Sequence, residues 1–152
     1  MGKLEDIQWA EDVPPTSLDL IGEFERKLGI TFPDDYKAFA LKYAGGEPRS
    51  FSDFDFILDG QPFYAAVGIF LAYQTWGDLP ETETIQWVQE HVEGLPGRFV
   101  PITSGGGSDF VGYDFRDAPP KIAFWMFGMD EPVVIADTFR DFLDMLHNEP
   151  RG

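Results

Sequence analysis

The order of local patterns predicts an α+β fold: two helices, short strands interrupted by one middle helix, and a C-terminal helix. The strand patterns lie too close together for crossover helices, so hairpins must join them and the sheet must be mainly antiparallel. The third observation is bulk. Hydrophobic residues make up 43% of the chain and aromatics 16%, with 15 phenylalanines, which is far more than a disordered chain carries. At 152 residues the chain is read as one domain, 1–152, long enough to bury a core without disulfides.

Residues 1–13 read as a leader whose large anchor is Trp9. Pro14-Pro15 stops it, and Thr16 or Ser17 can cap a helix with Leu18, Ile21, Leu28 and either Phe24 or Glu25 as its stripe and Gly29 at its end. Pro33 fits the first turn of a second helix, where its missing N–H costs nothing. Asp34 and Asp35 sit at the positive end of that helix. Tyr36, Phe39, Ala40 and Tyr43 fall on one helical face, and Gly45-Gly46 ends it. Phe51, Phe54, Phe56 and Leu58 suit a strand of imperfect alternation, turned at Asp59-Gly60. Phe63 to Tyr73 is a second strand pattern, interrupted at Gly68. Leu79-Pro80 opens the middle helix, with Ile85, Val88 and Val92 as its stripe. Four strands follow, over Phe99–Thr103, Asp109–Phe115, Ile122–Phe127 and Pro132–Ile135. Thr138 then caps a last helix with Phe139, Phe142, Leu143 and Leu146 on its buried face.

Eleven lysines and arginines against 27 acids give a net charge of −16. Such a field repels phosphate backbones and attracts basic partners, while also serving solubility. Without cysteine there is no disulfide framework and no thiolate metal site. The first ten residues lack an apolar signal core, and the longest apolar runs fall short of the ~20 residues of a spanning helix. A cytoplasmic protein without a membrane anchor is expected.

Catalytic patterns do not emerge. His91 and His147 sit far apart on helical patterns and read as surface or helix-end histidines. Gly105-Gly106-Gly107 precedes a strand and an aspartate, where a phosphate cradle needs a helix N-terminus and a cation, so it reads as a hairpin or bulge loop. Asp53, Asp55 and Asp59 are spaced unlike a calcium loop, because Phe56-Ile57-Leu58 interrupts the ligand positions. The same carboxylates alternate with Phe54 and Phe56, so acids and aromatics fall on opposite faces of one strand. With Phe63 and Tyr64 they make the preferred contact surface, aromatic anchors with a charged rim.

Three blocks carry a resemblance. The first is Glu25-Arg26-Lys27-Leu28-Gly29-Ile30-Thr31-Phe32-Pro33-Asp34-Asp35-Tyr36-Lys37-Ala38-Phe39, with Ala44-Gly45-Gly46. The second is Val100-Pro101-Ile102 with Gly105-Gly106-Gly107-Ser108-Asp109-Phe110-Val111-Gly112-Tyr113-Asp114. The third is Ala136-Asp137-Thr138-Phe139-Arg140-Asp141-Phe142-Leu143. In this order they resemble the SUKH superfamily, in its Smi/Knr branch. Leu28, Gly29, Pro33, Tyr36, Phe39, Gly45, Gly46, Gly106, Gly107, Phe139 and Phe142 match its structural motif. Ala44 stands where that family commonly has Asn, Ser104 and Ser108 where it often has acids, and Met126-Phe127-Gly128 is more apolar than in relatives. The resemblance implies protein binding without catalysis or cofactor. Bacterial members are mostly immunity proteins that cover a polymorphic toxin, and fungal relatives regulate cell-wall synthesis through protein contacts. The expected partner is a basic protein such as a cognate toxin domain, with no direct nucleic-acid contact. Asp109 and Asp114, which bracket the strand after the glycines, join Asp53, Asp55, Asp59, Phe63 and Tyr64 as residues expected to meet it.

Overall fold

The computed structural model describes residues 7–10, 13–105 and 109–148. Ser17 caps α1 (Leu18–Leu28), its hydroxyl accepting from the Leu20 N–H, and Gly29 closes the helix in the left-handed conformation at φ 70°. Glu25 then clamps the link to the next helix. Its carboxylate accepts from the Phe32 N–H at 2.7 Å and lies 3.4 Å from the Lys37 ammonium. Pro33 is the N-cap of α2 (Asp34–Tyr43), and Gly45 beyond its end takes φ 94°.

The strands follow as β1 (Asp53–Leu58), β2 (Gln61–Ala66) and β3 (Ile69–Phe70). After a 3-10 turn at Glu81–Glu83 come α3 (Ile85–His91), β4 (Phe99–Ser104), β5 (Asp109–Asp114), β6 (Lys121–Met126), β7 (Val133–Ala136) and α4 (Phe139–Met145). β3 to β7 form one sheet in chain order, with every pair antiparallel, while β1 and β2 form a separate hairpin. The predicted α+β class, with its antiparallel sheet and four helices, is the observed one.

Both faces of the larger sheet are covered, so β4, β5 and β6 are buried at nearly every position. On one face Tyr113 packs against Phe32 and Tyr36, and Tyr36 and Phe39 meet Phe139 of α4. Phe124, on the same face, carries the hairpin through Phe54, Phe56 and Phe63. On the other face Phe110 lies beside Trp125 and shares a cleft with Trp87, Val88 and Val92. Trp9 is the anchor its size predicts. It stacks on Tyr43 at 4.7 Å and meets Phe39 and Phe70. Gly46 lies directly beneath it, since a Cβ there would come within 2.8 Å of the indole ring.

Several boundaries differ from expectation. Leu18 is 60% exposed, so the buried stripe of α1 starts at Ile21; periodicity cannot tell where the covering element ends. Phe51 stands outside β1 with φ 53°, and the alternation within the strand is regular once it is removed. The pattern from Phe63 to Tyr73 divides between two sheets, because the chain leaves the hairpin after Ala66 and Gly68 donates to the Ser104 carbonyl. The middle helix begins later than Pro80. Thr84 closes the 3-10 turn by donating to the Glu81 carbonyl and caps α3 by accepting from the Trp87 N–H.

Candidate protein-binding face

The two-residue turn of the hairpin needs a left-handed conformation at both positions, and Asp59 and Gly60 adopt it at φ 53° and 79°. That turn fixes Leu58 opposite Gln61, and the register follows from it: Phe56 faces Phe63, Asp55 faces Tyr64 and Asp53 faces Ala66. Directly opposed residues share a face. Phe54, Phe56 and Phe63 therefore point inward, onto Phe124 and Phe142. Asp53, Asp55, Ile57, Pro62 and Tyr64 make up the outer face, with Asp59 exposed at its tip.

Of the residues expected to meet a partner, the structure brings Asp53, Asp55, Asp59 and Tyr64 together and puts Phe63 on the opposite, core-facing side. Tyr64 is 52% exposed and Ile57 61%. Ile57 and Pro62 were missed by sequence reasoning, although alternation from Phe54 places Ile57 outside and the two-residue turn sets Pro62 opposite it. Asp53 is half-buried and pairs through its backbone with His147, whose Nε2 lies 3.0 Å from the Asp55 carboxylate. The histidine follows α4, as its helix-end reading anticipates. His91 stacks on Trp87 at 4.5 Å.

Asp109 and Asp114 sit apart from this face, at the two ends of β5 and on opposite sides of the sheet. Asp109 is half-buried against Gly105, and burial raises its carboxyl above the usual range. Gly105 donates its N–H to the Asp109 carbonyl, continuing the antiparallel pairing of β4 and β5 by one step. Gly106 and Gly107 lie outside the described residues. Asp114 is buried and receives the Arg116 side chain on both carboxylate oxygens, while Arg116 also reaches Glu131. Burial pushes the Asp114 carboxyl up, but the hydrogen bonds and charge of Arg116 outweigh it and hold the group below the usual carboxylate range.

This depressed value has a measurable consequence. The stability contributed by ionised Asp114 is complete above the ordinary aspartate pKa of about 3.9 and is lost as pH falls below it. Asp114→Asn is expected to cost about 1–3 kcal/mol at neutral pH. It should also flatten the decline in stability below about pH 4, measured by urea unfolding at stepped pH. An acid limb identical to that of the parent chain would assign the decline to other groups.

The charge is distributed unevenly. From Ser50 to Gly97 the chain carries eight carboxylates and no lysine or arginine. Among the described residues the ion pairs of lysine and arginine are formed outside the hairpin, Lys27 with Glu90, Lys37 with Glu25, Arg116 with Asp114 and Glu131, and Lys121 with Asp137. Elsewhere Phe127 is 63% exposed at the turn after β6. Among the described residues no three His, Asp or Glu side chains converge on a metal position, and no helix is long and apolar enough to cross a membrane.

Comparison with known proteins agrees with the family resemblance. Over 67 residues the chain is 37% identical to the uncharacterized protein YnaB of Bacillus subtilis (strain 168), a match covering 44% of this chain and 40% of that protein. The chain thus spans less than half the length of the curated relative it matches. Residues 15–145 match the profile of the SMI1 / KNR4 family (SUKH-1), a stretch that runs from the cap of α1 to the end of α4 and so takes in both sheets and all four helices. The chain belongs to the SMI1 / KNR4 family (SUKH-1).

Proposed function

We propose that this chain is a non-catalytic protein-binding domain of immunity type, which neutralises a cognate toxin domain by covering a basic surface with the acid-rich outer face of the β1–β2 hairpin. The observation that carries the reading is that face. Tyr64 and Ile57 offer exposed apolar area, Asp55 and Asp59 flank them, and the inner aromatics hold the hairpin to the sheet. A rigid aromatic anchor ringed by charge is the composition of an interface hot spot. The net charge of −16 adds long-range steering of a basic partner. Membership of the SUKH-1 family supports protein contact as the mode of action.

The test is recovery of the partner from the source cell with this protein as bait, followed by binding kinetics. A basic, toxin-like domain is expected, with an association rate that falls at least about ten-fold between low and high salt. Replacing Asp53, Asp55 and Asp59 together by Asn should slow association to a similar degree while leaving the melting curve in place. A partner indifferent to both salt and the triple substitution would sink the hairpin reading. Recovery of a housekeeping protein would replace toxin immunity by a regulatory role like that of the fungal cell-wall regulators.

A further inference from the structure

Successive residues of an antiparallel strand direct their main-chain groups alternately toward the partner strand and away from it. The Ser52 carbonyl accepts from the Val67 N–H at 2.8 Å, so Phe54, Phe56 and Leu58 direct theirs toward β2. Asp53, Asp55 and Ile57 direct theirs outward. At Asp53 the outward groups are used: its N–H donates to the His147 carbonyl at 3.2 Å, and the His147 N–H donates back at 2.8 Å. One step along, at Asp55 and Ile57, the outward groups have no backbone partner among the described residues. β1 is an edge whose pairing begins at His147 and then stops.

We propose that this open edge, from Asp55 to Leu58, receives an extended segment of the partner as an added strand, and that the segment alternates lysine or arginine with apolar residues. The inference rests on the protein-binding reading above and specifies how the contact is made. Side chains of an added strand would lie beside Asp55 and Ile57 on the outer face and beside Phe56 and Leu58 on the inner one. A cation answers the Asp55 carboxylate, while an apolar residue extends the half-buried aromatic row. The opposite edge is less suited, because Pro62 occupies an outward position of β2 without an N–H to give. A second copy of this chain does not fit either. Its β1 would set the same carboxylates against each other between two bodies of charge −16.

The probes are a synthetic nine-residue peptide alternating Lys and Val, and the same peptide N-methylated on the amides that face the edge. Both are titrated into the isotope-labelled full chain, reading affinity and the exchange rates of individual amides. The unmodified peptide is expected to bind and to slow exchange at Asp55 and Ile57 at least about ten-fold. N-methylation, which keeps the charge and removes one or two hydrogen bonds, should weaken binding about ten-fold. Ile57→Pro removes an outward donor without touching a β1–β2 hydrogen bond, and should have the same effect where its melting curve matches the parent. The methylated peptide tests the same bonds on the unsubstituted chain, so the result does not depend on that variant folding. Equal binding of both peptides, or no protection at Asp55 and Ile57, would overturn strand addition while leaving the acidic-face reading intact. Absence of binding by the unmodified peptide would also overturn it, and partner recovery would then judge the acidic face on its own.

Discussion

Gly112→Ala is expected to cost about 3 kcal/mol or more, a large part of the 5–15 kcal/mol that holds a typical domain together. A Cβ at this position would lie 2.2 Å from the Val100 carbonyl oxygen and 2.7 Å from both the Val100 carbonyl carbon and the Pro101 Cα. All three atoms are backbone of β4, so no side-chain rotation relieves the clash. The crowding arises where Pro101 faces Gly112 and the β4 register then slips before Thr103, a bulge that bends one strand into its neighbour. Strand β5 is central, with β4 and β6 on its two sides, so moving it disturbs the pairing on both. Gly97→Ala is the matched control. A Cβ there meets nothing within 4 Å, and its expected effect is within about 0.5 kcal/mol. Urea midpoints for the two variants decide the matter. If Gly112→Ala unfolds at the same midpoint as Gly97→Ala, the close approach of β4 and β5 is not structurally demanding.

The parts of this fold that were legible in the sequence are those set by local chemistry. Ser17 and Thr138 cap their helices through hydrogen bonds to residues three positions on, and Asp59-Gly60 dictates a two-residue turn by its own conformational preference. Once that turn is granted, the register places Phe63 with Phe56 inside and Tyr64 with Asp55 outside. The separation of Phe63 from Tyr64 was thus available in the sequence, but only by carrying the count across the turn. Other features depend on distant partners. Gly46 and Gly112 read as loop and strand glycines until the Trp9 ring and the β4 backbone are seen against them. Asp114 looked like an acid available to a partner because β5, buried on both faces, has no alternation to separate inside from outside. Its satisfaction by Arg116, two residues on, follows from the turn after the strand and not from the strand pattern.

Phe124→Ala is expected to destabilise the protein by about 3–5 kcal/mol and to loosen the hairpin more than the sheet beneath it. Phe124 is fully buried, with the rings of Phe56 and Phe63 at 4.8 and 5.5 Å and that of Phe54 at 6.5 Å. Among the described residues, the backbone hydrogen bonds that tie the hairpin to the rest of the chain lie at its base, between Asp53 and His147. Ring packing on Phe124 must therefore hold the half that carries Ile57 and Pro62, since two strands alone are marginal in water. Amide exchange separates this account from a general loss of stability. In conditions where the β4–β6 amides remain protected, those of Phe56 and Phe63 in the variant should exchange markedly faster than in the parent chain. If the hairpin and the sheet lose protection in equal measure, Phe124 is an ordinary core residue. If the hairpin loosens first, the partner must bind a surface whose rigidity is supplied from below, and affinity should fall at temperatures where the sheet is still folded.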